Sequence, residues 1–374
     1  MTDFIPVNRP SLDGNEMAYV KECIDTAWIS SEGTFIRRFE TEFAKYVGRK
    51  YSVAVANGTA ALDLAIESLK LNPGDEIIVP TFTIISCINQ IMRSGLIPVF
   101  IDCDARSFNM NVHEIEEKIT SKTRAILIAH IYGLTVELDV VDTLCKKYNL
   151  FLIEDAAEAH GNSYNGAMCG SFGDISTFSF YPNKHITTGE GGMVLTDDVE
   201  IYNRLLGLRN LCFTEERFIH TDIGWNYRMT NMQAALGVAQ LETIDKKINH
   251  KKELGAFYTE ALSDISEIIL PIESLPYCEN HYWVYPILIA EGNSLTAKDI
   301  MELLKKAGIG TRPMFYPLHL QPVLKKYNIE SDLMHSNAEK IYSRGFYIPS
   351  GLGTTKLEQQ VVIKALRNIW EYVS

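Results

Sequence analysis

The stretch Ser176-Thr-Phe-Ser-Phe-Tyr-Pro-Asn-Lys184-His-Ile-Thr-Thr-Gly-Glu-Gly-Gly192 joins an apolar run to a lysine and a glycine-rich turn. Residues 175–180 have the composition of a buried strand, so we expect Lys184 to lie at the mouth of a sheet. Partial loss of water there lowers the pKa of the lysine and frees its amine to attack a carbonyl. The pattern is typical of a Schiff-base lysine, provided that other residues form a cofactor site around it. The alternative is a solvated lysine in a turn after a strand.

Short β-rich runs alternate with helical patterns on both sides of this stretch. Strands are predicted at 52–56, 76–80, 98–102, 124–130, 150–154 and 175–180, and helices at 35–47, 59–71, 84–94 and 138–148. Apolar strands separated by helices indicate an α/β domain with a mainly parallel sheet covered on both faces.

The later part of the chain has a different pattern. Residues 230–263 are helical almost throughout, with an interruption near Ile248, and form a connector out of the large domain. A strand at 282–289 and helices at 296–307 and 356–372 follow, which predicts a smaller α+β domain. We therefore divide the chain into a large cofactor-binding domain at 1–250 and a small C-terminal domain at 251–374.

Composition limits the class of protein. A 374-residue chain with 46% hydrophobic and 22% charged residues is a soluble globular protein of two domains. Its net charge of −12 argues against broad binding of nucleic acid or anionic membranes, but permits a small anionic ligand. The seven scattered cysteines have no metal-ligand spacing, so they indicate reduced core thiols and no metal. With no signal-peptide pattern and no apolar run of roughly 18 residues, we expect a cytoplasmic protein without a membrane span.

Polar residues follow several predicted strands, where open α/β sheets bind ligands. Asn57-Gly-Thr59 closes one strand and opens a helix, which suits a phosphate, although a turn with an N-cap is equally consistent. Asp155 would keep a pyridine nitrogen protonated, or would cap the next helix. Ser179 would add a hydroxyl to the phosphate, or face solvent. A phosphate site, a carboxylate and a lysine in this order are typical of a site for pyridoxal 5'-phosphate. The chain has no GxGxxG motif, which would indicate binding of NAD.

Motifs along essentially the whole chain resemble the DegT-type sugar-nucleotide aminotransferase family. They are Asn57-Gly-Thr-Ala-Ala-Leu, Gly74-Asp-Glu-Ile-Ile-Val-Pro-Thr-Phe-Thr, His130-Ile-Tyr-Gly133, Ile153-Glu-Asp-Ala-Ala-Glu-Ala, Gly173-Asp-Ile-Ser-Thr-Phe-Ser-Phe, Thr188-Gly-Glu-Gly-Gly-Met, Gly224-Trp-Asn-Tyr-Arg-Met-Thr-Asn231 and Phe315-Tyr-Pro-Leu-His319. Pro10-Ser-Leu-Asp-Gly, Trp28-Ile-Ser-Ser and Ile186-Thr-Thr-Gly-Glu-Gly-Gly are similar to the family branch that forms GDP-perosamine.

The resemblance implies a fold and an activity. The fold is that of aspartate aminotransferase (fold type I), with a mixed, mostly parallel sheet, in a homodimer whose active sites lie at the subunit interface. The activity is transfer of an amino group from L-glutamate to C4 of a nucleotide-linked 4-keto-6-deoxy sugar. GDP-4-keto-6-deoxy-D-mannose is the preferred acceptor, and a dTDP- or UDP-linked sugar is the alternative. The product would serve O-antigen, lipopolysaccharide or another surface glycan.

Two other functions stay open on the same fold. One is a pyridoxal-phosphate-dependent sugar dehydratase, which would release a deoxy sugar without an amine. The other is a non-catalytic regulator.

The resemblance also assigns three residues at the reacting end of the cofactor. Lys184 binds the cofactor covalently and then moves the proton between the substrate carbon and the cofactor. Asp155 pairs with the pyridine nitrogen. Glu158 lies near the phenolic oxygen, where many family members have Gln. Because two anionic oxygens repel each other, we expect a proton to be shared between them.

Further residues are assigned to the phosphate and to the substrates. Gly58, Thr59 and Ser179 hold the phosphate, joined by Asn226 of the partner subunit. Arg228 is a candidate for the carboxylate of the amino donor, because a guanidinium binds a carboxylate through two parallel hydrogen bonds; a surface arginine is the alternative. His319 is a candidate for the sugar or donor pocket, or a residue that only packs.

The sequence departs from the family pattern at two positions. Family members place an aromatic residue after Thr83 to stack on the cofactor ring, and here that residue is Ile84. His185 follows the lysine where the related branch has Thr. In some dehydratase relatives a histidine replaces the lysine itself, which favours elimination. Because Lys184 is retained here, we expect transamination.

Overall fold

The computed structural model describes residues 4–216, 218–331 and 336–371. The helices are α1 (Glu16–Asp25), α2 (Thr34–Val47), α3 (Gly58–Ser68), α4 (Ser86–Arg93), α5 (Leu138–Tyr148), α6 (Val199–Arg209), α7 (Asn231–Leu241), α8 (Ile244–Leu262), α9 (Ala297–Lys306), α10 (Asn337–Arg344) and α11 (Lys356–Glu371). Residue 372, the last of the predicted C-terminal helix, lies outside the described residues.

The strands alternate with these helices in the first half of the chain. They are β1 (Tyr51–Val55), β2 (Glu76–Pro80), β3 (Ile97–Ile101), β4 (Thr123–Ala129), β5 (Phe151–Asp155), β6 (Ser163–Tyr164), β7 (Ala167–Met168), β8 (Ile175–Ser179), β9 (Gly192–Thr196), β10 (Ile268–Ile269), β11 (Ser274–Leu275), β12 (Cys278–Glu279), β13 (Tyr285–Ile289), β14 (Arg312–Pro313) and β15 (Gly345–Ile348). The strands and helices predicted for the large domain are present, with ends shifted by a few residues.

A seven-stranded sheet in the order β1-β9-β8-β5-β4-β2-β3 forms the centre of the large domain. Strands β8, β5, β4, β2 and β3 pair in parallel, whereas β9 is antiparallel to both of its neighbours. This confirms the predicted mixed, mostly parallel sheet. Successive side chains of a strand point to opposite faces, so one strand contributes to the hydrophobic cores on both faces of the sheet. In β8, Ile175 packs with α3, α4 and α6, and Phe178 packs with α2 and α7.

The predicted interruption near Ile248 is wrong. The helical stretch instead forms two helices, α7 and α8, which are separated by Glu242 and Thr243. Ile248 is buried in the core that α2 and α7 share with the sheet, and this burial stabilises the helix through that position. The exposed polar residues Lys246, Asn249 and His250 lie on the outer side of a continuous helix.

The later elements form a second, smaller unit. Its four-stranded antiparallel sheet has the order β10-β13-β15-β14 and shares a core with α8, α9 and α11. Ile5 joins this core and pairs with Ile309, so the first described residues pack on the small unit. Helix α8 connects the two units, since Ile248 packs on the large one and Leu254 on the small one. The division at residue 250 stays a prediction. Within the described residues, no helix combines the length and apolarity that crossing a bilayer requires.

Candidate active site

A cavity of about 660 Å³ opens where the strands of the large sheet reach their carboxyl ends. Turns after β1, β2, β5 and β8 supply one wall, and the small unit supplies Trp283, Phe315 and Tyr347 to the other. Six of the predicted cofactor residues line this cavity together: Gly58, Thr59, Asp155, Glu158, Ser179 and Lys184. Parallel strands bring their carboxyl ends to one edge of a sheet, which explains why residues so distant in sequence meet here.

Lys184 lines the cavity, with 9% of its surface exposed. Its Nζ lies 3.6 Å from Oε1 of Glu158 and 3.8 Å from the ring centroid of Trp283. Burial lowers the pKa of Lys184, and the charges of Glu158 and Asp155 act in the opposite direction. The site therefore holds an amine that loses its proton more easily than a solvated lysine does.

The two carboxyl groups have different surroundings. Burial raises the pKa of Glu158 to about 7, although Lys184 and the backbone N–H of Tyr132, which donates to Oε2 at 3.0 Å, oppose the rise. Burial also raises the pKa of Asp155. The Oδ1 of Asp155 accepts the backbone N–H of Ala157 at 3.1 Å, and its Oδ2 accepts the thiol of Cys87 at 3.5 Å. Both carboxyls are thus fixed by hydrogen bonds and held out of water.

The charges around Lys184 suit a protonated pyridine ring. Asp155 and Glu158 carry two carboxyl groups against the single amine of Lys184. The nearby His160 stays neutral, because burial lowers its pKa to about 3. Negative charge on both buried carboxyls at once is costly unless a further cation joins them. A ring nitrogen that keeps its proton beside Asp155 would supply that cation, so these residues fit pyridoxal phosphate.

The N-terminus of α3 lies beside Ser179 and has the features of an anion site. Asn57 Oδ1 accepts the N–H of Ala60 at 2.8 Å, and within the described residues the N–H groups of Gly58 and Thr59 have no acceptor. The Thr59 hydroxyl is 2.7 Å from that of Ser86. A Cβ on Gly58 would lie 2.7 Å from Cβ of Ser179, so only glycine lets the two segments come this close. Free N–H groups at a helix N-terminus with hydroxyls beside them fit a phosphate.

Three predicted residues lie outside the set that lines the cavity of the described chain. Asn226 is exposed and pairs with Asn210, and Arg228 donates from Nη1 to the side-chain oxygen of the same asparagine. His319 is buried, with Nδ1 2.6 Å from the Thr81 hydroxyl and Nε2 3.2 Å from Glu339 Oε1. The binding roles of Asn226, Arg228 and His319 stay predictions.

The cavity also contains an aromatic wall that sequence reasoning missed. Trp283 and Phe315 face the site from the small unit, and both rings pack against Tyr132. Trp283 resembles an ordinary core residue in the sequence, and Phe315 was noted only as part of a family motif, without a role in the site. Ile84, at the position where relatives carry an aromatic residue, lines the cavity and is 48% exposed. His185 is buried and lies outside the lining of the cavity in the described chain.

A buried group of His130, Glu154 and Cys169 has the composition of a metal site. Hydrogen bonds account for it instead. His130 Nδ1 accepts the N–H of Val136 at 3.1 Å, so Nε2 carries the proton and donates to Glu154 at 2.9 Å. Glu154 also accepts the backbone N–H groups of Gly170 and Phe172. This network braces the ends of β4 and β5 and leaves no open ligand position on the histidine.

The fold and the site define a pyridoxal-phosphate-dependent aminotransferase of the aspartate aminotransferase type. Known proteins agree, because the model of the DegT/DnrJ/EryC1/StrS aminotransferase family matches residues 10–367. The chain belongs to this family. The resemblance seen in the sequence, the fold class, the enzyme class and the cofactor are thereby confirmed.

Individual relatives match over nearly their whole length. GDP-perosamine synthase of Escherichia coli O157:H7 is 42% identical over 376 residues, which cover 99% of both chains. The crystal structure of the aminotransferase TlmJ from Streptoalloteichus hindustanus has a TM-score of 0.92 and 26% identity, with 99% of this chain and all of the other covered. The E. coli GDP-4-keto-6-deoxy-D-mannose-3-dehydratase with bound hydrated PLP has a TM-score of 0.90 and 27% identity, at 98% and 100% coverage.

Proposed function

We propose that this enzyme transfers the amino group of L-glutamate to C4 of GDP-4-keto-6-deoxy-D-mannose and so forms GDP-perosamine. The observation that carries the proposal is the meeting of Lys184, Asp155 and Glu158 with the N-terminus of α3 in one cavity. The similarity to GDP-perosamine synthase over nearly the full length supports the choice of sugar and nucleotide. We place the product in O-antigen or another surface glycan. Seven buried thiols, none in a disulfide in the described chain, support a reducing cytoplasm.

We assign the residues of the cavity to parts of the cofactor by their chemistry. Gly58, Thr59 and Ser179 would hold the phosphate, Asp155 the ring nitrogen, and Glu158 the side of the phenolic oxygen. When bound, pyridoxal phosphate supplies an aldehyde that condenses with amines and a ring that withdraws electrons. The buried charge of Asp155 keeps a proton on the ring nitrogen, because an opposite charge nearby favours the protonated form.

Lys184 is the proton carrier of the proposed reaction. Its lowered pKa supplies a neutral amine that accepts a proton from the reacting carbon. Once protonated, its Nζ is stabilised by Glu158 at 3.6 Å and stays close to the reacting atoms. The aromatic wall of Trp283 and Phe315 keeps water from competing for this proton.

We further propose a homodimer in which Asn226 and Arg228 act in the site of the partner subunit. In the described chain both residues lie outside the lining of its own cavity, and Asn226 is exposed. A phosphate contact from Asn226 and a donor-carboxylate contact from Arg228 then require a second copy. His319, hydrogen-bonded to Thr81 behind the cavity, is proposed to support the sugar or donor pocket.

The test is to incubate the enzyme with L-glutamate and a panel of GDP-, dTDP- and UDP-linked 4-keto-6-deoxy sugars. We expect 2-oxoglutarate to form with the GDP-linked sugar at a rate at least about tenfold above the others, which is roughly 1.4 kcal/mol of discrimination. Lys184→Ala should abolish the reaction and Lys184→Arg should not restore it. A deoxy sugar formed without an amine would show a dehydratase, and no turnover with any sugar would favour a regulator.

A further inference from the structure

The indole ring of Trp283 lies against the amine of Lys184. The Nζ lies 3.8 Å from the ring centroid, and Trp283 is 4% exposed. An ammonium over the face of an indole is attracted by the negative charge of the ring, and more strongly where water is excluded. Trp283 therefore provides a binding position for a charged Lys184 that a neutral amine would not need.

Contacts from both units hold the indole in place. The ring stacks on Tyr132 of the large unit at 5.7 Å and lies nearly parallel to Phe315 at 6.4 Å. The backbone carbonyl of Trp283 accepts a hydrogen bond of 3.2 Å from Nζ of Lys251 in α8. Lys251 is 1% exposed and lies in α8, which joins the two units. The hydrogen bond therefore restrains the backbone of Trp283 relative to both units.

The orientation of the indole is not explained by a hydrogen bond. Its Nε1–H is buried and has no acceptor within the described residues. A buried tryptophan ordinarily pairs this donor, and an unpaired one costs free energy. The ring presents its face to Lys184, and its N–H makes no hydrogen bond within the described residues.

We propose that Trp283 is a positioning residue for transamination, whose indole face holds Lys184 once its amine, released from the cofactor, has taken up a proton and become an ammonium. The proposal rests on the function proposed above, in which Lys184 is alternately bound and released. The protonated amine is then stabilised by an ion pair with the Glu158 carboxylate and by a cation–π contact with the Trp283 indole. The lysine then keeps its proton beside the reacting carbon. The titratable groups that also act on or face this amine are Asp155, Glu158, Cys87 and His160.

The proposal can be tested on the cofactor-free protein, without any sugar. Lys184 is labelled with acetic anhydride over a pH series, and the modified peptide is quantified by mass spectrometry to give the midpoint of labelling. In Trp283→Leu the midpoint should move to lower pH by about one unit, because the ammonium loses the ring. In Trp283→Phe, which keeps a smaller ring, the shift should be about half as large.

The matched control is Trp370→Leu, which removes a buried indole from the core of the small unit that does not line the cavity. Its labelling midpoint should match that of the native protein. Circular dichroism establishes that each variant is folded, and Trp283→Phe carries the test should the leucine variant unfold. Equal midpoints in the native protein and the folded Trp283 variants would overturn the proposal.

A second readout uses the loaded enzyme. Trp283→Leu should lower kcat at least about fivefold while KM for the sugar stays within about twofold, because the ring acts on the lysine rather than on substrate binding. A rise in KM alone would assign the ring to substrate binding instead and overturn the proposal. Failure of the enzyme to form an amino sugar would refute the proposed function, yet leave the labelling result intact.

Discussion

Replacing Gly58 with alanine tests the geometry of the phosphate site. The new Cβ would lie 2.7 Å from Cβ and 3.1 Å from Oγ of Ser179, and such overlap forces the end of β8 away from α3. Overpacking of this kind costs about 1–3 kcal/mol in the free energy of unfolding. The same displacement pulls the Ser179 hydroxyl from the N-terminus of α3. We therefore expect the affinity for pyridoxal phosphate to fall at least about tenfold, or roughly 1.4 kcal/mol.

A double-mutant cycle gives this prediction its control. Ser179→Gly removes the Cβ at 2.7 Å, and the closest remaining contact of the new methyl is Cα of residue 179 at 3.3 Å. Gly58→Ala with Ser179→Gly should thus recover about 1–2 kcal/mol of stability, whereas Gly58→Ala with Ser179→Ala, which keeps the Cβ, should recover little. Cofactor affinity should stay low in both double variants, because the hydroxyl is missing.

The measurements are urea unfolding of the cofactor-free protein and an absorbance titration with pyridoxal phosphate. A Gly58→Ala protein with native stability and native cofactor affinity would refute the geometry. Equal stability of the two double variants would refute the assignment of the clash to Ser179 Cβ.

Three further variants test the buried charges. Glu158→Gln should remove the loss of stability that the native protein shows as pH rises from about 4.5 to 7, because the folded carboxyl holds its proton up to about pH 7. In urea unfolding at pH 8 the variant should gain about 2–3 kcal/mol in the free energy of unfolding. A pH profile like that of the native protein would contradict this. Lys251→Met should flatten the rise in stability between about pH 7 and pH 10, because burial lowers the pKa of Lys251 to about 7 and the unfolded chain binds the proton more tightly in that range. The slope of the free energy of unfolding against pH should fall by up to about 1.4 kcal/mol per pH unit. An unchanged slope would show that a charge on buried Lys251 does not destabilise the fold. Asp155→Asn should lower kcat for the half-reaction with L-glutamate by about 10²–10³-fold at similar stability, and a loss under about threefold would remove Asp155 from the ring nitrogen.

The central sheet could be predicted from the sequence because its signals are local. The apolar run of β2 and the periodic face of α5 gave their observed bounds, 76–80 and 138–148. Helix α1 was missed because only Glu16 and Cys23 are buried in it, so it lacks an apolar stripe. Helix α6 buries only Leu205 and Leu208 and was missed for the same reason. Short strands such as β15 depend on pairing with distant strands, which no local pattern reveals.

The same distinction between local and distant information applies to the site. Gly58, Asp155 and Lys184 were found because each follows a strand, and parallel strands end at a common edge. Trp283 was not found, because its position beside the lysine depends on how the small unit packs on the large one. The roles proposed for Asn226 and Arg228 involve a second chain, and a contact between two chains has no local signature in the sequence.

The most direct test of the proposed reaction follows the nitrogen atom. The enzyme is incubated with ¹⁵N-labelled L-glutamate and GDP-4-keto-6-deoxy-D-mannose, and the sugar product is analysed by NMR and mass spectrometry. We predict one ¹⁵N bonded to C4 of the sugar for each 2-oxoglutarate formed, with both products lost in Lys184→Ala. A deoxy sugar without ¹⁵N, or label found only as free ammonium, would contradict the account.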